Sequence, residues 1–367
     1  SARSRLYSQY RQQRTQERLS ELGIFRYLEL HYTPRDTTAA NDTLDFHMQA
    51  IFDTPLDAEF NFNLTSKSND QMGPGALFSV TRHNLFGGGE TWNVELKGSY
   101  EWQTGGGKNR SLMNSWELGA SSSVSFPRVV FPRLGGREYD FPAKTTFRLN
   151  ANQLNRAKYY KLLSFGGSAT YEFQPTRVTR HSLTPFRLDF NALQHHTAAF
   201  DSIAALNPAL YISLQNQLIP AMQYSYTYDN AVLKEVKHPI WWQSTVVSAG
   251  NLTSAIYKAF GHSFQSKDKK LFGAPFAQFL KFSSDFRYLW NIDRNQSMAT
   301  RVAGGVLWSY GNTTVAPYSE SFYVGGANSI RAFTVRSIGP GGYNPEKTDF
   351  SFINQNGDIR MEANVEY

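Results

Sequence analysis

The stretch TWNVELKGSYEW, residues 91–102, sorts its side chains into two files. Trp92, Val94, Leu96, Gly98, Tyr100 and Trp102 alternate with Thr91, Asn93, Glu95, Lys97, Ser99 and Glu101. Successive side chains of a strand point to opposite faces, so one face here is apolar and aromatic and the other polar and charged. The two faces meet different solvents. The same period of two recurs in 58–66, where Phe60, Phe62 and Leu64 oppose Glu59, Asn61 and Asn63. In 222–229, Met222, Tyr224, Tyr226 and Tyr228 oppose Gln223, Ser225, Thr227 and Asp229. In 280–290, Leu280, Phe282, Phe286, Tyr288 and Trp290 oppose Lys281, Ser283, Asp285 and Arg287.

Further strand patterns at 76–84, 112–126, 143–154, 160–173, 180–192, 241–252, 298–310 and 357–367 bring the count to about twelve. Several exceed the roughly 5–6 residues of a soluble sandwich strand and reach the roughly 9–11 that a tilted strand needs to cross a bilayer. The expected fold is mainly β, a transmembrane antiparallel β-barrel. Tyr100, Trp102, Trp290, Trp308 and Tyr310, near strand ends, are placed to form interfacial girdles. Composition agrees: 27 Phe, 20 Tyr and 7 Trp coexist with a mean hydropathy of −0.46, as alternation produces. No apolar run is long enough for a membrane helix.

The connections are of two sizes. Gly87-Gly88-Gly89 and 293–296 read as short turns on one side of the membrane; 127–142, 195–219, 252–277 and 311–356 read as long loops on the other. Within 195–219, residues 197–206 have helical spacing stopped by Asn207-Pro208. Ahead of the barrel, 11–21 reads as an amphipathic helix ended by Gly23, followed by strands at 24–33 and 43–52. In the last segment Asp358, Arg360, Glu362, Asn364 and Glu366 share a face, directed to the lumen. The net charge of +7 is scattered, with no basic helix or stripe, which argues against a nucleic-acid partner. The absence of cysteine fits an envelope protein and a cytosolic one alike. The chain opens without a signal peptide and is read as a mature or truncated product.

One loop carries a motif. In SFYVGGANSIRAFTVRSIGPGGY, residues 321–343, Gly325-Gly326 and Gly339-Pro340-Gly341-Gly342 bracket Ile330-Arg331-Ala332-Phe333. These residues resemble the BamA/TamA superfamily of outer-membrane assembly and translocation barrels, whose sixth extracellular loop carries (I/V)RG(F/Y) between the eleventh and twelfth strands; Ala332 stands where glycine is usual. Helix, strand, loop, strand, with RLSELGIFRYLEL at the junction, resembles the second half of a POTRA domain.

The resemblance implies an α/β, C-terminal POTRA part in residues 1–54, lying in the periplasm, and an outer-membrane barrel in 55–367 with loop 311–356 folded inward. The family barrel has roughly sixteen strands, so about four lie beyond those read here. The resemblance also implies a function: insertion of β-barrel proteins into the bacterial outer membrane, with unfolded outer-membrane clients, the lipid bilayer and periplasmic or inner-membrane accessory proteins as partners. Arg331 braces the lumen, Glu362 and Glu366 being its candidate partners in this chain. The first strand, 56–66, with Ala58, Phe60, Phe62 and Leu64, offers its edge to client strands. Two other functions remain open: a secretion pore for a dedicated partner, and a porin-like channel. No catalytic site is expected, because the chain lacks G-x-S-x-G, H-E-x-x-H and P-loop patterns. No cofactor is expected, and no metal site either, His195-His196 having no acidic or cysteine ligand at metal spacing.

Overall fold

The computed structural model describes residues 7–35, 43–66, 71–103, 115–130, 142–156, 159–198, 200–202, 214–233, 236–293, 295–326, 329–331, 333, 336, 338–339, 341 and 355–367. The chain begins with helix α1 (Gln9–Glu21), then pairs β1 (Phe25–Pro34) with β2 (Leu44–Phe52) in an antiparallel hairpin. Gly23 follows the helix at φ 64°, a left-handed residue that lets the chain reverse into β1. Gln12 Nε2 donates to the Leu30 carbonyl at 2.9 Å, and the Tyr7 ring meets Tyr32 edge-on at 5.0 Å, so α1 covers one face of β1 and Leu30 is buried beneath it.

The remaining strands form one meander. They are β3 (Leu56–Ser66), β4 (Gln71–His83), β5 (Thr91–Gln103), β6 (Ser115–Phe126), β7 (Ala143–Arg156), β8 (Tyr160–Thr176), β9 (Thr179–His196), β10 (Gln217–Asp229), β11 (Ile240–Ala249), β14 (Phe279–Asn291), β15 (Ser297–Ser309) and β16 (Ile359–Glu366). Each pairs antiparallel with its neighbours in a single 12-stranded sheet. Between β11 and β14 lie helix α2 (Asn251–Ala259) and the two-residue strands β12 (Lys270–Leu271) and β13 (Ala274–Pro275), a small hairpin the sequence pattern did not disclose.

Alternation sets the two surfaces of this sheet. On β16, Met361 is 86% exposed on the outer face while its neighbour Glu362 is 8% exposed inside. Phe60, Phe62 and Leu64 on β3 and Phe282, Phe286 and Trp290 on β14 likewise stand outward. Pro185 has no N–H for the ladder and sits where the register slips on both sides, between Ala169 and Tyr171 of β8 and between Ala221 and Gln223 of β10. At the two ends of the sheet, among the described residues, β3 pairs with β4 alone and β16 with β15 alone.

Strand parity corrects one expectation. Residues 127–142 join β6 to β7 at the end where 84–90, 177–178, 230–239 and 292–296 also turn, not at the end of the other long loops. Loop length had been taken to mark the side, whereas in a meander the side alternates with every strand. The helical unit lies at this same end: a Cβ on Gly89 would stand 2.8 Å from Leu22 Cδ2 and 3.4 Å from Pro127 Cγ. Two smaller corrections concern 195–219. His195 and His196 belong to β9, opposite Lys161 and Tyr160, because strand pairing with β8 outruns the residues that alternate. The expected helix is described only at Ala198 and 200–202; its later residues lie outside the described ones.

The rim carries a pH-dependent tie. Arg128 Nη2 donates to Glu90 Oε1 at 2.6 Å and the Gly88 N–H to Glu90 Oε2 at 2.8 Å. Burial alone would raise the Glu90 carboxyl, but the N–H groups of Gly88 and Glu90 and the Arg128 guanidinium outweigh it and hold it below its ordinary value. A carboxyl lowered by folding contributes stability above its unfolded value of about 4.3, and that contribution is lost as pH falls through the folded value. Thermal unfolding in detergent should place Glu90→Gln about 1–3 kcal/mol below wild type at neutral pH. The gap should shrink as pH falls below the unfolded value of about 4.3. A gap independent of pH would contradict the tie.

Candidate functional site

The segment between β15 and β16 returns into the barrel and is held at successive depths along its inner wall. At its root, Asn312 donates to the Phe276 carbonyl and to that of Lys269, both at 2.9 Å, and the Asn312 N–H donates to Gln278 Oε1 at 3.1 Å. Tyr310 donates to Asn251 Oδ1 at 2.8 Å. Lys269 is enclosed here with oxygen acceptors, Ser254 Oγ at 2.8 Å, Gln278 Oε1 at 3.1 Å and the Phe264 carbonyl, and burial pulls its ammonium below the ordinary lysine value. These bonds join the α2 loop to the root of the returning segment. Beneath them Ile219, Ala221, Val247, Ala249, Ala277, Phe279, Leu307 and Ala316 form an apolar cluster inside the barrel, against which Phe322 packs.

Glu320 is the next point of attachment. Its carboxylate receives the Arg187 guanidinium from β9 and Lys281 Nζ from β14 at 3.2 Å, and Lys281 also donates to the Glu320 carbonyl at 2.7 Å. The Glu320 side chain is only 11% exposed. Phe322 follows, bridged to Gly357 by reciprocal backbone bonds of 2.9 Å, with Lys281 Nζ 5.0 Å from its ring centre. Further on, Arg336 at φ 62° lies 4.1 Å from the Tyr318 ring centre and 4.5 Å from that of Tyr323, and donates to Asn356 Oδ1 at 3.0 Å.

The motif forms the tip. Gly325 and Gly326 take φ 98° and 95°, the left-handed side that glycine tolerates, and the Gly326 N–H reaches the Phe333 carbonyl at 2.8 Å. The Phe333 N–H closes on the Ile330 carbonyl at 3.1 Å. Gly339 is half-buried; Ala332 and Pro340 lie outside the described residues. Arg331 pairs with Glu366, their side chains 68% and 57% exposed. Glu362, the other expected partner, is engaged elsewhere: it accepts from Ser329 Oγ at 2.7 Å and pairs with Arg301 at 3.3 Å and with Arg360. The loop therefore meets β16 twice, through Ser329 at Glu362 and through Arg331 at Glu366. Arg331 also borders a cavity of about 350 Å³ whose walls include Trp241, Arg287, Arg301, Asn364 and Glu366.

Residues 84–367, the loop included, match the profile of the Omp85 superfamily domain. The chain belongs to the Omp85 superfamily. Its fold is similar to the crystal structure of BamA from Haemophilus ducreyi lacking POTRA domains 1–3, with a TM-score of 0.55 and 14% identity over 89% of this chain and 54% of that one. CdiB from Escherichia coli aligns at a TM-score of 0.44 and 13% identity, over 87% of this chain and 51% of that one. The chain thus spans about half the length of these solved structures. No curated protein sequence matches it. The sheet is that of an Omp85 outer-membrane β-barrel, and the segment entering it lies between the eleventh and twelfth of its strands in chain order.

In this Omp85 barrel the sequence pattern missed Glu320, Phe322, Ser329 and Arg336. An acid followed two positions later by an aromatic, at the neck of a glycine-bounded loop, is the signal that was present for Glu320 and Phe322. Of the expected edge residues, Ala58, Phe60, Phe62 and Leu64 all fall on β3, opposite Val80, Phe78, Ala76 and Pro74 of β4. Next to them Gly73 approaches β5 so closely that a Cβ would stand 1.8 Å from the Tyr100 carbonyl oxygen, and the β4–β5 ladder skips from Met72 to Gly75.

Proposed function

We propose that this Omp85 protein inserts β-barrel proteins into the bacterial outer membrane by templating client strands on β3, while the lumenal loop keeps the wall rigid. The observation carrying this reading is the first strand of the sheet: β3 has 11 residues, long enough to cross the hydrocarbon, with Phe60, Phe62 and Leu64 facing out, and beside it the β4–β5 ladder skips from Met72 to Gly75. An unpaired edge costs free energy in lipid, where no water satisfies its N–H and C=O groups, and an arriving strand removes that cost by β-augmentation. Burial of the client's lipid-facing side chains drives the rest, so neither cofactor nor nucleotide is required. In this proposal residues 1–54 are the C-terminal part of a periplasmic POTRA unit that passes clients, with any accessory proteins, to the β3 end of the sheet.

Photo-crosslinkers at Asn61 and Asn63 should capture an unfolded outer-membrane client during insertion into vesicles. Capture at the lumenal Asn364, with none on β3, would instead give a secretion pore. Arg331→Ala tests the brace. The exposed pair with Glu366 contributes at most about 1 kcal/mol, so the variant should unfold near the wild-type temperature yet insert clients more slowly. Insertion at the wild-type rate would remove Arg331 from the mechanism.

A further inference from the structure

A helix packed on a protein in water turns its apolar side inward, but α2 does the reverse. Its buried side is polar. Ser254 is fully buried and donates to Gln278 Oε1 at 2.9 Å, and Asn251 donates to Ser248 Oγ at 2.9 Å. Tyr257 reaches the Lys270 carbonyl and packs on Phe276 with ring centres 6.3 Å apart. The outward side holds Leu252, Ile256 and Phe260 at positions i, i+4 and i+8, all exposed, with Ala255 and Ala259 beside them. The helix, NLTSAIYKA, contains no acidic residue. Phe272, at the tip of the β12–β13 hairpin, is exposed as well, held out by a φ of 50° that a phenylalanine adopts at a cost.

Such an inversion is the one the barrel itself shows. The strands that carry this excursion present Val246, Leu280 and Phe282 on their outer face, and Trp308 stands exposed at the same end of β15. The apolar side of α2 therefore continues the lipid-facing band past the strand ends. Lys258, Lys267 and Lys270 are exposed on the same excursion, which suits a surface of phosphate groups.

We propose that α2 and the β12–β13 hairpin form a foot on the outer leaflet, with Leu252, Ile256, Phe260 and Phe272 among the acyl chains and Lys258, Lys267 and Lys270 at the level of the lipid phosphates. The foot fixes the depth and tilt of this side of the barrel. Through Ser254, Gln278 and Asn312 it is also tied to the root of the lumenal loop, so the state of the leaflet bears on that loop.

The protein has no cysteine, which makes single-site spin labelling direct. Labels are placed by Ile256→Cys and Phe260→Cys, with Phe282→Cys as the lipid-facing reference and Gln296→Cys, in the turn at the opposite end of the sheet, as the water-facing one, in vesicles of phosphatidylethanolamine and phosphatidylglycerol. The expected result at 256 and 260 is the Phe282 pattern: frequent collision with oxygen and little with a water-soluble nickel chelate. Collision with the chelate as at Gln296 would overturn the proposal. So would protection from both reagents, which would mean that a protein, a second copy included, covers the face.

Discussion

Replacing Glu320 by alanine should release the lumenal loop and lower the stability of the barrel by about 3 kcal/mol, the low end of the cost of breaking a buried ion pair. Arg187 and Lys281 are each 19% exposed and converge on this one carboxylate. Without it Lys281 keeps no anionic partner among the described residues. Arg187 retains Asp189 at 3.0 Å and Gln223 at 3.2 Å, which is why the low end applies. Glu320→Gln keeps the acceptor oxygen and the shape and should cost less than the alanine. Two measurements check this: thermal unfolding in detergent, and trypsin cleavage at Arg331 and Arg336, which should become rapid only when the loop leaves the lumen. Unchanged protease resistance in Glu320→Ala would show that the loop is held by the motif and not by its neck.

The contrast with Arg331 follows from burial. Both arginine contacts look alike as ion pairs, but the Arg331–Glu366 pair is open to water and screened, whereas the Glu320 pair is enclosed. The recognisable motif thus supplies the less stabilising of the two attachments, and its part in the mechanism is one of geometry.

What the sequence discloses and what it hides divide along the same physical line. Strands whose two faces meet different solvents announce themselves by a period of two, and the reading of 91–102 and 280–290 carries over to β5 and β14 with the faces as expected. Local turns are legible where glycine must take positive φ, as at Gly23 and Gly325. Contacts distant in sequence leave no such trace. Glu320 and Arg187 are 133 residues apart, and nothing in either neighbourhood names the other. The apolar cluster inside the barrel was hidden for a related reason: alternation assigns inner positions to water, and Ile219, Val247 and Phe279 are inner positions covered by a loop from elsewhere. Polar α2 residues buried against Gln278 and Lys269 invert the usual reading in the same way.

Gly305→Val should open the lumen. Gly305 lies on the inner face of β15, where a Cβ would stand 2.4 Å from Phe322 Cζ and 2.7 Å from the Phe282 carbonyl oxygen. The ring cannot retreat while the Phe322–Gly357 bridge holds and Lys281 lies over it, so the side chain must expel the neck of the loop. Overpacking of this kind costs about 1–3 kcal/mol, and the loss of ring burial adds to it. Planar-bilayer recordings should show steady conductance for Gly305→Val and a mostly closed wild type. Phe322→Ala separates the two clashes. If the ring is the main obstacle, Gly305→Val should cost less in the Phe322→Ala background than alone, the two changes falling short of additivity because they act on one contact. Full additivity would place the damage in the β14–β15 ladder at Phe282 and leave the seating of the loop independent of Gly305.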